Sequence, residues 1–229
     1  MRSFRRIILG TALLPVLAMP ALAQEAGTSF EQAQYEACLD LINQNPEAAY
    51  EEGLAWRAQG GSWPAMHCIA LSQVALGQYG IAARRLESTA EGAVVATDET
   101  RAIMLGQAGD AWLAAREPAH AGRAFRRGLD FSPADAGLAL GVAEAALAES
   151  GWAAAATAAS AALDISSTPA RGWLIRATAR LELGDLDGAA ADIAEALARD
   201  DENIDALVLR GRINEARRTG SSRPAGMAE

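Results

Sequence analysis

The sequence contains no lysine; all 20 of its basic residues are arginine. A Schiff-base amine and the lysine of a phosphate-binding loop are thereby excluded. Histidine is nearly absent too. His67 and His120 stand alone, with no partner at the spacing of a metal site or a catalytic triad. There is no Gly-x-Ser-x-Gly, no His-Glu-x-x-His and no glycine loop of the kind that cradles phosphate. Ser62, Ser132, Ser150, Ser166 and Ser167 fall where helices should begin or turn, and capping accounts for them. No stretch alternates with period two over more than a few residues, so no sheet is expected. These absences leave little to carry chemistry. No catalytic residue, metal or cofactor is expected, and the chain is read as a non-enzyme.

The only two cysteines are Cys38 and Cys68, and they form no Cys-x-x-Cys. An even count in an exported chain predicts one structural disulfide. Export is predicted from the first 23 residues. Arg2, Arg5 and Arg6 precede an apolar run over 7–19, and Ala21-Leu22-Ala23 supplies a small-x-small cleavage box. The run is shorter than the about 20 residues of a membrane span, so cleavage after Ala23 is expected rather than retention as an anchor. The Arg5-Arg6 pair lacks the Ser or Thr that usually precedes it in twin-arginine signals, which favours general secretion. Gln24 follows the box, so no lipid-bearing cysteine is created.

Residues 1–23 hold three of the 20 arginines and none of the 29 acidic residues, so a chain starting at Gln24 carries a formal charge of −12. Such a field repels nucleic acid and anionic membrane surfaces. A periplasmic location is expected, without membrane insertion once the leader is gone.

What the sequence does have is a period. Leu129, Leu163 and Leu197 are in register at an offset of 34 residues. So are Ala121, Ala155 and Ala189, and Gly109, Ala143, Ala177 and Gly211. In 102–135 the packing positions are Leu105, Gly109, Trp112, Ala121, Phe125, Gly128 and Pro133. In 170–203 they are Trp173, Ala177, Arg180, Ala189, Ile193, Ala196 and Asp201, of which Arg180 and Asp201 depart from the pattern. In 136–169 they shrink to Ala139, Ala143, Ala146, Ala155, Ala159, Ala162 and Ser167. This pattern resembles the tetratricopeptide repeat (TPR) family. A further unit is read from Trp63, a looser helical pair over 30–59, a terminal helix over 204–218 and a disordered tail over 219–229. Asn45-Pro46, Ser132-Pro133 and Thr168-Pro169 are read as helix starts. Glu117-Pro118, Ser150-Gly151 and Gly184-Asp185 are read as turns within units.

The resemblance implies an all-α, right-handed superhelical solenoid of stacked antiparallel helix pairs. The first three segments divide as a leader over 1–23, an N-terminal pair with a first repeat over 24–101, and repeats with a terminal helix over 102–218. The resemblance also places Cys38 and Cys68 on neighbouring first helices, where a bridge would staple the irregular N-terminal pair to the stack. First helices of such units line a concave groove. The positions that match are Ile103, Gly106, Asp110 and Leu113, then Gly137, Leu140, Glu144 and Leu147, then Arg171, Leu174, Thr178 and Glu182, with Asp205, Val208 and Arg212 on the terminal helix. Leucines with scattered charges suit an extended or helical segment of a protein partner, although leucines at helical spacing also serve as core. Arg171 and Arg212 are the strongest candidates for contacting carboxylates. The family's clamp for chaperone C-termini uses Lys and Asn, and these groove positions hold neither. The expected function is a periplasmic scaffold or adaptor binding a segment of a cell-envelope protein. A holdase for unfolded exported chains is the alternative, and a partner-dependent enzyme or regulatory subunit is a third.

Overall fold

The computed structural model describes residues 22–220; the predicted leader up to residue 21 and the tail from residue 221 lie outside the described residues. Eleven α-helices and no strand are found among the described residues. They run as α1 (Leu22–Gln44), α2 (Pro46–Ala58), α3 (Trp63–Ala75), α4 (Tyr79–Gly92), α5 (Asp98–Ala114), α6 (Pro118–Phe131), α7 (Ala136–Ala148), α8 (Trp152–Ile165), α9 (Ala170–Glu182), α10 (Leu186–Arg199) and α11 (Ile204–Thr219). Each helix packs on the next, and α5, α7, α9 and α11 also touch in sequence. The result is a solenoid of antiparallel pairs closed by the single helix α11. The division expected at 101/102 falls inside α5, which already starts at Asp98 behind the cap Thr97. The terminal helix reaches Thr219, one residue past its expected end, and stops at Gly220 in the left-handed conformation.

Turns show why the chain folds back every half-unit. Gly77, Arg116, Ser150 and Gly184 all have positive φ, and each closes the first helix of a unit. The last three are 34 residues apart, so the repeat conserves a backbone shape even where glycine is missing. Asn45 caps α2 through a bond from Ala48 N, with Pro46 at its first turn, as expected. Two of the expected starts are shifted. Ser132 ends α6, and α7 is instead capped by Asp135, whose Oδ1 accepts from Leu138 N at 3.0 Å. Pro169 occupies the cap position of α9 and not its first turn. In both places a carboxylate or a β-region proline, rather than the Ser/Thr-Pro pair, sets the boundary.

The core is a row of small clusters, one between each pair of layers. Leu86, Trp112, Phe125 and Leu138 join α4, α5, α6 and α7. Ala143, Ala159 and Ile175 join α7, α8 and α9. Leu181, Ile193, Leu209 and Ile213 join α9, α10 and α11. Small residues set the spacing. A Cβ on Gly109 or on Gly141 would come within 2.5 Å of the Phe125 ring, so this one ring is pinned between α5 and α7. Arg180, a poor match to its slot, is explained by α10. Asp192 is buried there and receives Arg176 Nε and Nη2 at 2.9 and 2.8 Å and Arg180 Nη1 at 2.8 Å. Where 102–135 places Trp112, this unit places an ion triad.

The disulfide joins Cys38 of α1 to Cys68 of α3, with Cα atoms 6.2 Å apart. Around it pack Trp56, Ala65, Tyr35 and Ile42. Tyr35 Oη and His67 Nδ1 are 2.5 Å apart, and His67 Nε2 lies 2.6 Å from Gln107 Oε1. If the tyrosine hydroxyl donates, the imidazole is neutral and donates onward to Gln107. His67 is therefore a buried link between α1, α3 and α5, and desolvation holds its pKa below the usual histidine value. His120 is exposed at the start of α6, as expected, but its ring lies tilted against Trp112 with ring centroids 4.5 Å apart.

Candidate functional site

The groove residues form ladders because each first helix repeats the last. Ile103, Gly137, Arg171 and Asp205 make one row at 34-residue spacing, Gly106, Leu140, Leu174 and Val208 a second, and Asp110, Glu144, Thr178 and Arg212 a third. Two adjoining open depressions follow these rows. The first, of about 360 Å³, is lined by Ile103, Gly106, Gln107, Asp110, Asp135, Gly137, Leu140, Gly141, Glu144 and Arg171, with Ala102, Phe125 and Leu138 beneath. The second, of about 390 Å³, is lined by Glu144, Leu147, Arg171, Leu174, Ile175, Thr178, Asp205, Val208, Leu209 and Arg212. Leu113 lines neither. Its row continues through Leu147 to Leu181, which is fully buried, and Leu113 itself packs on the core between α3 and α7.

Glu144 and Arg171 line both depressions and are bonded to each other, so an ion pair between α7 and α9 forms the ridge between them. Arg212 is likewise engaged, 2.6 Å from Glu182 on α9. Both arginines singled out for partner carboxylates are thus already paired across successive first helices. Desolvation raises the pKa of Asp110 and of Glu144; the Arg171 charge opposes both shifts, and the Asp110 charge adds to that of Glu144. Holding the exposed Asp110 carboxylate near the half-buried Glu144 carboxylate is unfavourable for the folded chain by itself.

The leucines are shared between groove and core. Leu140 and Leu147 are half-buried against Ala143 and Ile175, and Leu174 against the α9–α11 core. Ile103 and Val208 are the open apolar surfaces, half or more exposed. The floor was not foreseen. Phe125, Leu138 and Gly141 were read as packing or not read at all, yet all three line the depression, and the glycines at 106 and 141 let Leu138 and the Phe125 ring pack close beneath it. Gly106, Gly137 and Gly141, on consecutive first helices, were the available signal. A third depression, of about 450 Å³, lies where the α2–α3 loop meets the end of α4, with Trp63, Met66 and Val95 in its wall. Among the described residues no group of His, Cys, Asp and Glu is placed to hold a metal ion, and no helix is long and apolar enough to cross a membrane.

The architecture defines the class: an α-solenoid with the fold of TPR domains. It is similar to the C-terminal part of a TPR repeat-containing protein from Cytophaga hutchinsonii, at 13% identity and a TM-score of 0.67, over 80% of this chain and 71% of that one. MamA from Desulfovibrio magneticus RS-1 (residues 41 to the end) matches at 13% identity and 0.64, over 76% and 97%. The first TPR domain of Spaghetti (RPAP3), solved with the HSP90 peptide SRMEEVD, matches at 21% identity and 0.52, over 54% and 98%. At these identities the likeness establishes the fold. No known family model and no curated protein matches the sequence.

Proposed function

We propose that the chain is an exported, periplasmic adaptor that holds a segment of a cell-envelope protein along its concave face. The observation that carries this reading is the continuous groove built by α5, α7, α9 and α11, with half-exposed Ile103 and Val208 at its two ends and Leu140, Leu147 and Leu174 between. Apolar steps separated by charges are what an amphipathic or extended segment needs for affinity and register. A structural neighbour, RPAP3, was solved with a bound peptide, which supports a protein-binding role for this fold. The leader-like residues 1–23 and the Cys38–Cys68 bridge support an oxidising compartment.

The test is a cross-linking capture from the envelope fraction of the source organism. The mature chain is run beside a variant carrying Leu140→Ala, Leu174→Ala and Arg171→Glu. One dominant partner, lost in the variant, is expected. Many weak partners, retained in the variant, would replace this reading with a holdase. Recovery of the chain in the cytoplasmic fraction with its leader intact would refute the location.

A further inference from the structure

We propose that the α5–α7 half of the groove receives a basic side chain of the partner, an arginine or lysine whose charge meets Asp110 and Glu144 and whose stem lies along Ile103 and Leu140. This rests on the groove being the binding face, and it adds the chemistry of the occupant. Three carboxylates, Asp110, Asp135 and Glu144, line this half against one guanidinium, that of Arg171. Arg171 is bonded to Glu144, and Asp135 is occupied in capping α7. Asp110 is left on the exposed rim as the carboxylate that a further cation would neutralise.

The shape agrees with the charge. Beside the acidic rim the lining is apolar: half-exposed Ile103 and half-buried Leu140 flank backbone bared at Gly106 and Gly137, while Leu138 and the Phe125 ring fill the space that a Cβ on Gly106 or Gly141 would take. An apolar lining beside carboxylates fits a side chain with a methylene stem and a cationic head. Arg171 already shows that the site accepts a guanidinium; it is the charge that opposes the raised pKa of both Asp110 and Glu144. The other half differs. Its lining has Glu144 and Asp205 balanced by Arg171 and Arg212, around Leu147, Leu174 and Val208, and suits uncharged apolar residues. The expected occupant therefore places a basic residue over α5–α7 and apolar residues over α9–α11. An acidic segment would meet an excess of like charge, within a protein of net charge −9.

The test uses the mature, disulfide-bonded chain and three labelled amphipathic peptides. All share one leucine face, and the opposite face is arginine, serine or glutamate. Fluorescence anisotropy is read at about 0.05 and 0.5 M salt. The arginine peptide should bind at least about tenfold tighter than the glutamate peptide. Asp110→Asn, which leaves the Arg171–Glu144 bridge in place, should cost the arginine peptide about fivefold and the serine peptide nothing. Glu51→Gln with Glu52→Gln, on exposed α2 far from the groove, is the control for general charge attraction and should change neither. Equal weakening by Asp110→Asn and by the α2 pair would overturn the proposal as non-specific attraction. Equal or tighter binding of the glutamate peptide, still sensitive to Leu174→Ala, would overturn the charge assignment while leaving the groove reading intact. Binding of all three peptides insensitive to Leu174→Ala and Leu140→Ala would overturn both.

Discussion

Replacing Asp192 with alanine tests whether the odd repeat is held by its ion triad. The wild-type carboxylate is 3% exposed and accepts three charge-assisted bonds at 2.8–2.9 Å, two from Arg176 and one from Arg180. Removing one partner of a buried pair costs about 3–5 kcal/mol, because the remaining charge is stranded. Here the stranded guanidinia are 15% and 30% exposed, and Arg180 keeps Asp185 at 3.6 Å. Both can turn partly toward water, so about 2–3 kcal/mol is expected. In a stack where each unit touches only its neighbours the loss stays local. Hydrogen exchange should rise in α9, α10 and α11 and remain near wild type in α3 and α4. Asp192→Leu combined with Arg176→Met and Arg180→Met should recover much of the loss, since no buried charge is left unpaired. A loss below about 1 kcal/mol, or loosening spread evenly over all units, would refute the reasoning.

Reducing the Cys38–Cys68 bridge releases a loop spanning a sequence separation of 30, worth about 3–4 kcal/mol by loop entropy; exchange over residues 30–96 should rise more than over 102–211, and uniform change would contradict the staple. Arg116→Gly and Ser150→Gly should each raise stability by about 0.5–1 kcal/mol in urea titrations, because both residues have φ near 60°; destabilisation by either would show that its side chain contributes more than its strain. His67 titrates below the usual histidine value because it is buried. The unfolded chain takes up that proton near pH 6.5, so the neutral form's contribution is complete above about pH 6.5 and is lost as the pH falls below it. Protection of α1 amides, corrected for the intrinsic exchange rate, should therefore fall as the pH drops below about 6.5, and His67→Gln should flatten that dependence; an unchanged slope in the variant would assign it to other groups.

The repeat was legible because packing at helix crossings leaves little choice of residue. Gly109, Ala143 and Ala177 mark the same crossing, all of them buried. Arg180 could not be placed from sequence, since its partner Asp192 lies on the other helix of the pair, 12 residues on. The helix starts at α7 and α9 were misplaced because Ser132-Pro133 and Thr168-Pro169 satisfy a local rule that Asp135 and the Pro169 backbone satisfy one to three residues later. Groove rows followed directly from the period, but depth did not. Leu113 and Leu140 look alike in sequence and both are half-buried against a core cluster, yet only Leu140 lines a depression. The pairing of Arg171 with Glu144 joins residues 27 apart on different units, a diagonal that a one-dimensional register does not show.

Photo-cross-linking in intact cells, with a reactive group placed in turn at Ile103, Val208 and Ala161, tests the central claim most directly. Ile103 and Val208 stand at the two ends of the groove, and Ala161 is exposed on the second helix α8. The groove reading predicts one shared adduct from Ile103 and Val208, absent from Ala161 and abolished by Leu140→Ala with Leu174→Ala. The same adduct from Ala161, or one indifferent to the two leucines, would contradict it.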